Sequence, residues 1–132
     1  MPNLPFKALY FILILTGSNL YASDSRFILK EHIVVDLEQQ IEWLRCSVGQ
    51  RWDGVKCAGE IINLSLDVVP KALDIAGEQL GGIWRLPSKA ELQSIVCKKC
   101  SSPKIDKEIF PNTDNAPYWT SDRSVFNRKF YV

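Results

Sequence analysis

Four cysteines, falling as Cys46 and Cys57 and then as Cys97 and Cys100, constrain the fold of this chain more than any other feature. Whether they are cross-links, metal ligands or a redox pair depends on the compartment, and the N-terminus speaks to that. Lys7 supplies a positive charge, Ala8 to Leu15 form an apolar run, and small residues lead up to Ala22. That order is the one of a secretory signal peptide, expected over residues 1–22 with cleavage after Ala22. The run is too short for a bilayer core, which takes roughly 20 apolar residues, so no stable membrane span is expected after cleavage. Export to the periplasm, the cell surface or the medium makes disulfides the expected state of the thiols.

Four cysteines permit three connectivities. The pairing 46–57 with 97–100 is favoured because each bond closes a short loop, and the crossed pairings stay open. Zinc is disfavoured: only Cys97-Lys-Lys-Cys100 has the close spacing of a ligand pair, whereas ten residues including Trp52 separate the other two cysteines. The same Cys-x-x-Cys spacing raises thiol-disulfide exchange as an alternative, a redox accessory enzyme using Cys97 and Cys100. A redox cysteine is normally activated at a helix N-terminus, but this pair follows a predicted helix at its negative end, with Lys98 and Lys99 acting in the opposite sense. A structural bond is the favoured reading.

The hydrophobic share of 46% and the four Trp, four Tyr and six Phe exclude a disordered chain, and the length allows one domain. Ile33-Val-Val35 and Ile41-Glu-Trp-Leu44 read as two short strands around a turn at Asp36. Cys46 to Cys57 is a loop with turn signals at Gly49 and Asp53-Gly54. Val69, Leu73, Ala76 and Leu80 recur at helical spacing, which predicts a helix from Leu66 to Leu80 with Pro70 in its first turn and Gly81-Gly82 as its stop. Ser88 and Glu91 form a capping box for a second helix reaching Val96, with Leu92, Ile95 and Val96 inward. Residues 101–117 read as a long loop held by Ile105, Ile109 and Phe110. Tyr118-Trp119-Thr120 and Lys129 to Val132 read as strands.

Catalysis finds little support. His32, the sole histidine, lies in a charged segment near the mature N-terminus and reads as a solvated surface residue. Gly77, Gly81 and Gly82 do not have the spacing of a phosphate loop. Asp106, Asn112, Asp114 and Asn115 offer oxygen ligands for calcium, although Asn and Asp beside Pro are equally what turns are made of; no cofactor is expected. The 16 Lys and Arg include Lys7, so residues 23–132 carry 15 basic groups against 15 acidic ones. A formally neutral chain has no general attraction for nucleic acid. The charge is uneven, with six Lys/Arg against ten Asp/Glu over 23–84 and nine against five over 85–132.

Four motifs then occur in one order: Arg45-Cys46 to Cys57, Trp84-Arg85-Leu86-Pro87-Ser88 with Glu91-Leu92, Phe110-Pro111-Asn112-Thr113, and Tyr118-Trp119-Thr120-Ser121. Together they resemble the Lcl C-terminal domain, found at the end of bacterial collagen-like adhesins. The resemblance covers residues 35–132, with 23–34 as a lead-in. It implies an α+β, C-type-lectin-like fold in which two helices pack on small antiparallel sheets with long loops. Trp84 and Leu86 are then expected in the core, Pro87 and Ser88 at the start of the second helix, and Trp119 as the anchor of a central strand.

Characterised members resemble adhesins for sulfated polysaccharides. The ligand-binding candidates on that ground are Lys98, Lys99, Lys104, Lys107, Arg123, Arg128 and Lys129. The resemblance thus implies an exported, non-catalytic binding domain for an anionic polysaccharide or a host or matrix polymer, the remaining alternative being a structural module of an envelope complex. No collagen-like stalk is present, and family members usually continue past Tyr131-Val132, so the domain is expected to be incomplete at its C-terminal end.

Overall fold

A computed structural model describes residues 25–122 and 129–131. The chain is α+β, with small antiparallel sheets, two helices and two disulfides. Strands β1 (Phe27–Lys30), β2 (Ile33–Asp36) and β3 (Ile41–Leu44) form one sheet in that order, with Phe27 opposite Asp36 and Asp36 opposite Ile41. Residues 27–30 and 33–36 thus exchange the β1–β2 ladder bonds of this three-stranded sheet. Asp36 is not the turn. It closes β2, and the turn is Leu37 to Gln40, with Gln40 at φ 55°.

Within the Cys46–Cys57 loop, Arg51–Trp52 (β4) pairs with Cys57–Ala58 (β5). The tip turns because Asp53 Oδ1 accepts from the amides of Val55 and Lys56 at 2.9 and 2.8 Å. Helix α1 runs from Val69 to Leu80, three residues shorter at its start than the periodicity predicts, since Val68 N–H still donates to Ser65 in a preceding turn. Of its expected inward stripe Val69 is buried, Leu73 and Ala76 are half-buried, and Leu80 is 40% exposed. Helix α2 (Lys89–Ser94) has the predicted capping box but stops before Val96. Strands β6 (Pro117–Trp119) and β7 (Lys129–Tyr131) form the last antiparallel pair.

The core is Val34 from β2, Leu92 and Ile95 from α2, and Ile105 and Phe110 from the long loop, with Phe27, Trp43, Ile109 and Tyr118 packed around it. Burying each large apolar side chain is worth roughly 1.5–3 kcal/mol, which is how a loop with no regular structure becomes fixed. Trp84 and Leu86 do not belong to this cluster. Both are half-buried, and the Trp84 indole is held at the end of α1 by its Nε1–H bond to Gly81 O at 2.8 Å. Trp119, in β6, donates Nε1–H to Leu64 O at 2.7 Å.

Candidate functional site

Four of the seven basic candidates fall on one described segment. Val96 bridges to Ile105, and Cys97 N–H donates to Lys104 O at 2.9 Å, so the chain from 97 to 104 folds back on itself as a small hairpin. The Cys97–Cys100 disulfide and the Cys100 N–H bond to Cys97 O at 3.2 Å clamp its tip around Lys98 and Lys99. Buried Ile105 roots the hairpin in the core. Lys98, Lys99, Lys104 and, just beyond, Lys107 are all exposed, and among the described residues none is ion-paired. Lys129 lies in β7 opposite Trp119. Arg123 and Arg128 lie outside the described residues.

The base of this segment is held by a residue that sequence reasoning left as part of a motif. Arg45, at the end of β3, donates to the carbonyls of Glu31, Glu108 and Ile109 at 2.8 to 2.9 Å, and its guanidinium lies 4.1 Å from the Trp52 ring centroid. One side chain thus ties the first turn, the disulfide loop and the stretch after Lys107 together. The Cys46–Cys57 bond, with Cys57 buried, secures the same corner.

Of the oxygen-rich residues considered for calcium, Asp106 is engaged in a local turn. Asp106 Oδ1 accepts from Glu108 N–H at 2.9 Å, the Asp114 amide faces Tyr118 Oη at 3.2 Å, and Asn112 takes φ 60°. Among the described residues no three His, Cys, Asp or Glu side chains converge as a metal site would require. His32 differs from its expectation as a solvated residue. It is half-buried at the β1–β2 turn, and its Nε2 is enclosed without a hydrogen-bond partner.

The Trp84 to Glu91 motif has a structural task. Arg85 binds Glu91 through both carboxylate oxygens at 2.7 and 2.9 Å, while Glu91 also accepts from Ser88 N–H at 2.7 Å. Pro87 O accepts from Ser121 N–H at 2.8 Å and Asp122 accepts from Lys89 N–H, so the motif joins the start of α2 to the chain leaving β6. The Arg85 bond, opposed by burial and aided by Ser88, lowers the Glu91 carboxyl to about 2. A carboxylate lowered on folding adds stability that is complete above its ordinary value of 4.5 and is lost as pH falls toward about 2. Arg85 is 59% exposed, so solvent screening leaves about 1–2 kcal/mol of this effect. Glu91→Ala is therefore expected to lower unfolding free energy by about that much at pH 7, and urea titrations should show the two proteins converging by pH 2.5. An unchanged difference at both pH values would refute the assignment.

No curated protein and no solved structure matches the chain. The model of the Lcl C-terminal domain matches residues 32–132, which include the four ordered motifs from Arg45 to Ser121, and the chain belongs to the Lcl C-terminal domain family.

Proposed function

We propose that this chain is an exported, non-catalytic binding module of C-type-lectin-like architecture, and that its lysine hairpin recognises a sulfated polysaccharide or a similar anionic polymer. The observation that carries the reading is the grouping of Lys98, Lys99 and Lys104 on a disulfide-clamped hairpin, exposed and without ion-pair partners among the described residues. A lysine ammonium is a compact charge that suits the diffuse anionic groups of a sulfated chain, and a clamped backbone reduces the ordering cost of engaging several at once. Two disulfides suit the oxidising space outside the cytoplasm, whether periplasm, cell surface or medium.

The test is retention of the oxidised protein on a sulfated polysaccharide matrix, with a neutral polysaccharide as control. Retention on the first alone, eroding as the Debye length shortens to ~8 Å near 0.15 M salt, is the expected result. Lys98→Gln with Lys99→Gln should elute at distinctly lower salt, while Lys71→Gln on α1 should elute with the parent. A folded protein that passes through at low salt would remove this ligand class and leave a protein-interaction module of the envelope as the surviving reading.

A further inference from the structure

The surface of α1 has the opposite character to the hairpin. Beside its C-terminal half lies an open hollow of about 460 Å³ lined by Leu73 and Gly77 of the helix and by Gly82, Ile83 and Trp84 just after it. Gly77 packs closely on the turn after the helix, since a Cβ there would stand 3.1 Å from Gly82 O. The rim carries Asp74 and Glu78, one helical turn apart, both exposed and neither ion-paired among the described residues. Ile83 is fully exposed, and Ile75 and Leu80 are each 40% exposed. An apolar trough with an acidic rim fits a side chain whose body is apolar and whose head is cationic, which is the build of lysine.

We infer that this hollow receives the lysine hairpin of a second copy of the chain, head to tail. The complementary charges are both on the molecule: the acidic rim falls in the stretch 23–84, with ten acidic against six basic residues, and the hairpin in 85–132, with nine basic against five acidic. Residues 23–132 sum to zero charge, so no net repulsion keeps copies apart. The methylene stems of Lys98 and Lys99 cover Ile83 and Trp84 while their ammonium groups meet Asp74 and Glu78. Such a contact uses different surfaces on the two partners and therefore extends or closes into a ring rather than stopping at a symmetric dimer.

The inference does not rest on polysaccharide binding, although both use Lys98 and Lys99. Sedimentation velocity of the oxidised chain over a concentration series should show association at low salt that weakens about tenfold or more on reaching 0.15 M salt, where the Debye length is ~8 Å. Asp74→Asn with Glu78→Gln should be monomeric, yet keep whatever retention the sulfated matrix gives the parent. Lys98→Gln with Lys99→Gln should also be monomeric. An equimolar mixture of the two variants retains one intact hairpin and one intact hollow, so it should form 1:1 pairs and nothing larger; pairing also shows that both variants are folded. A parent that stays monomeric at low salt overturns the inference, as does association that survives either pair of substitutions.

Discussion

Asp36→Ala is expected to lower the unfolding free energy by about 3–5 kcal/mol, the cost of leaving one member of a buried ion pair without its partner. Asp36 is fully buried at the end of β2. Its carboxylate accepts from Arg26 Nε and Nη2 at 2.8 and 2.5 Å, from the amides of Glu38 and Gln39, and from Trp43 Nε1 at 3.3 Å. The same guanidinium donates to Ser94 O and Oγ, each at 2.8 Å, which ties β1 to the end of α2. With a total stability of about 5–15 kcal/mol for a domain, the loss should leave a substantial unfolded fraction at 37 °C. Burial alone would raise the Asp36 carboxyl, but the bonds from Arg26, Gln39 and Trp43 outweigh it and hold it below the ordinary carboxylate range. The stabilisation is thus present at neutral pH and fades as acid titrates the folded carboxylate. Chemical denaturation of parent and variant at pH 7 measures the effect, and a cost under about 1 kcal/mol would mean the pair is far better solvated than its burial indicates.

Phe110→Ala should be comparably damaging, at about 3–5 kcal/mol, for a different reason: it opens a cavity instead of stranding a charge. Phe110 is 5% exposed and meets the rings of Phe27 and Trp43 edge to face, with centroids at 6.2 and 6.4 Å. Its neighbours come from β1, β3 and the long loop, so no single element can shift to fill the space. Phe110→Leu retains most of the buried volume and should cost markedly less, about 1–1.5 kcal/mol. Thermal unfolding of the three proteins ranks them, and a leucine variant as unstable as the alanine one would contradict the cavity argument.

How much of this was legible in the sequence depends on how local each cause is. The Ser88–Glu91 capping box, the short-loop disulfides and the strand at Ile33 to Val35 each rest on residues no more than eleven positions apart, and each stands where local chemistry predicts. Strand β1 lacks such a signal. As the outer strand it buries little, so Phe27–Lys30 shows no alternation of apolar and polar residues. Asp36 misleads in the opposite direction. An acidic residue before Leu-Glu-Gln-Gln suggests a turn, and only its period-two relation to Val34 hinted that it faces the core. The guanidinium that makes this burial tolerable lies ten residues away and across a strand. The family resemblance places Trp84 in the core, yet the Gly81 carbonyl fixes it at the helix end. Of the basic candidates, the hairpin lysines are brought together by backbone bonds that follow from the disulfide, whereas nothing local in the sequence relates them to the later arginines.

The fastening of β1 also bears on where this domain can be cut. The family match begins at His32, five residues after the start of a strand that belongs to the central sheet. A shortened protein trimmed to that border would lose Arg26 as well as Phe27, so the carboxylate at the end of β2 would face the interior without a counter-ion. Poor yield or aggregation of such a fragment would reflect the position of the scissors, and a fragment that keeps the Arg26–Asp36 pair starts no later than Arg26.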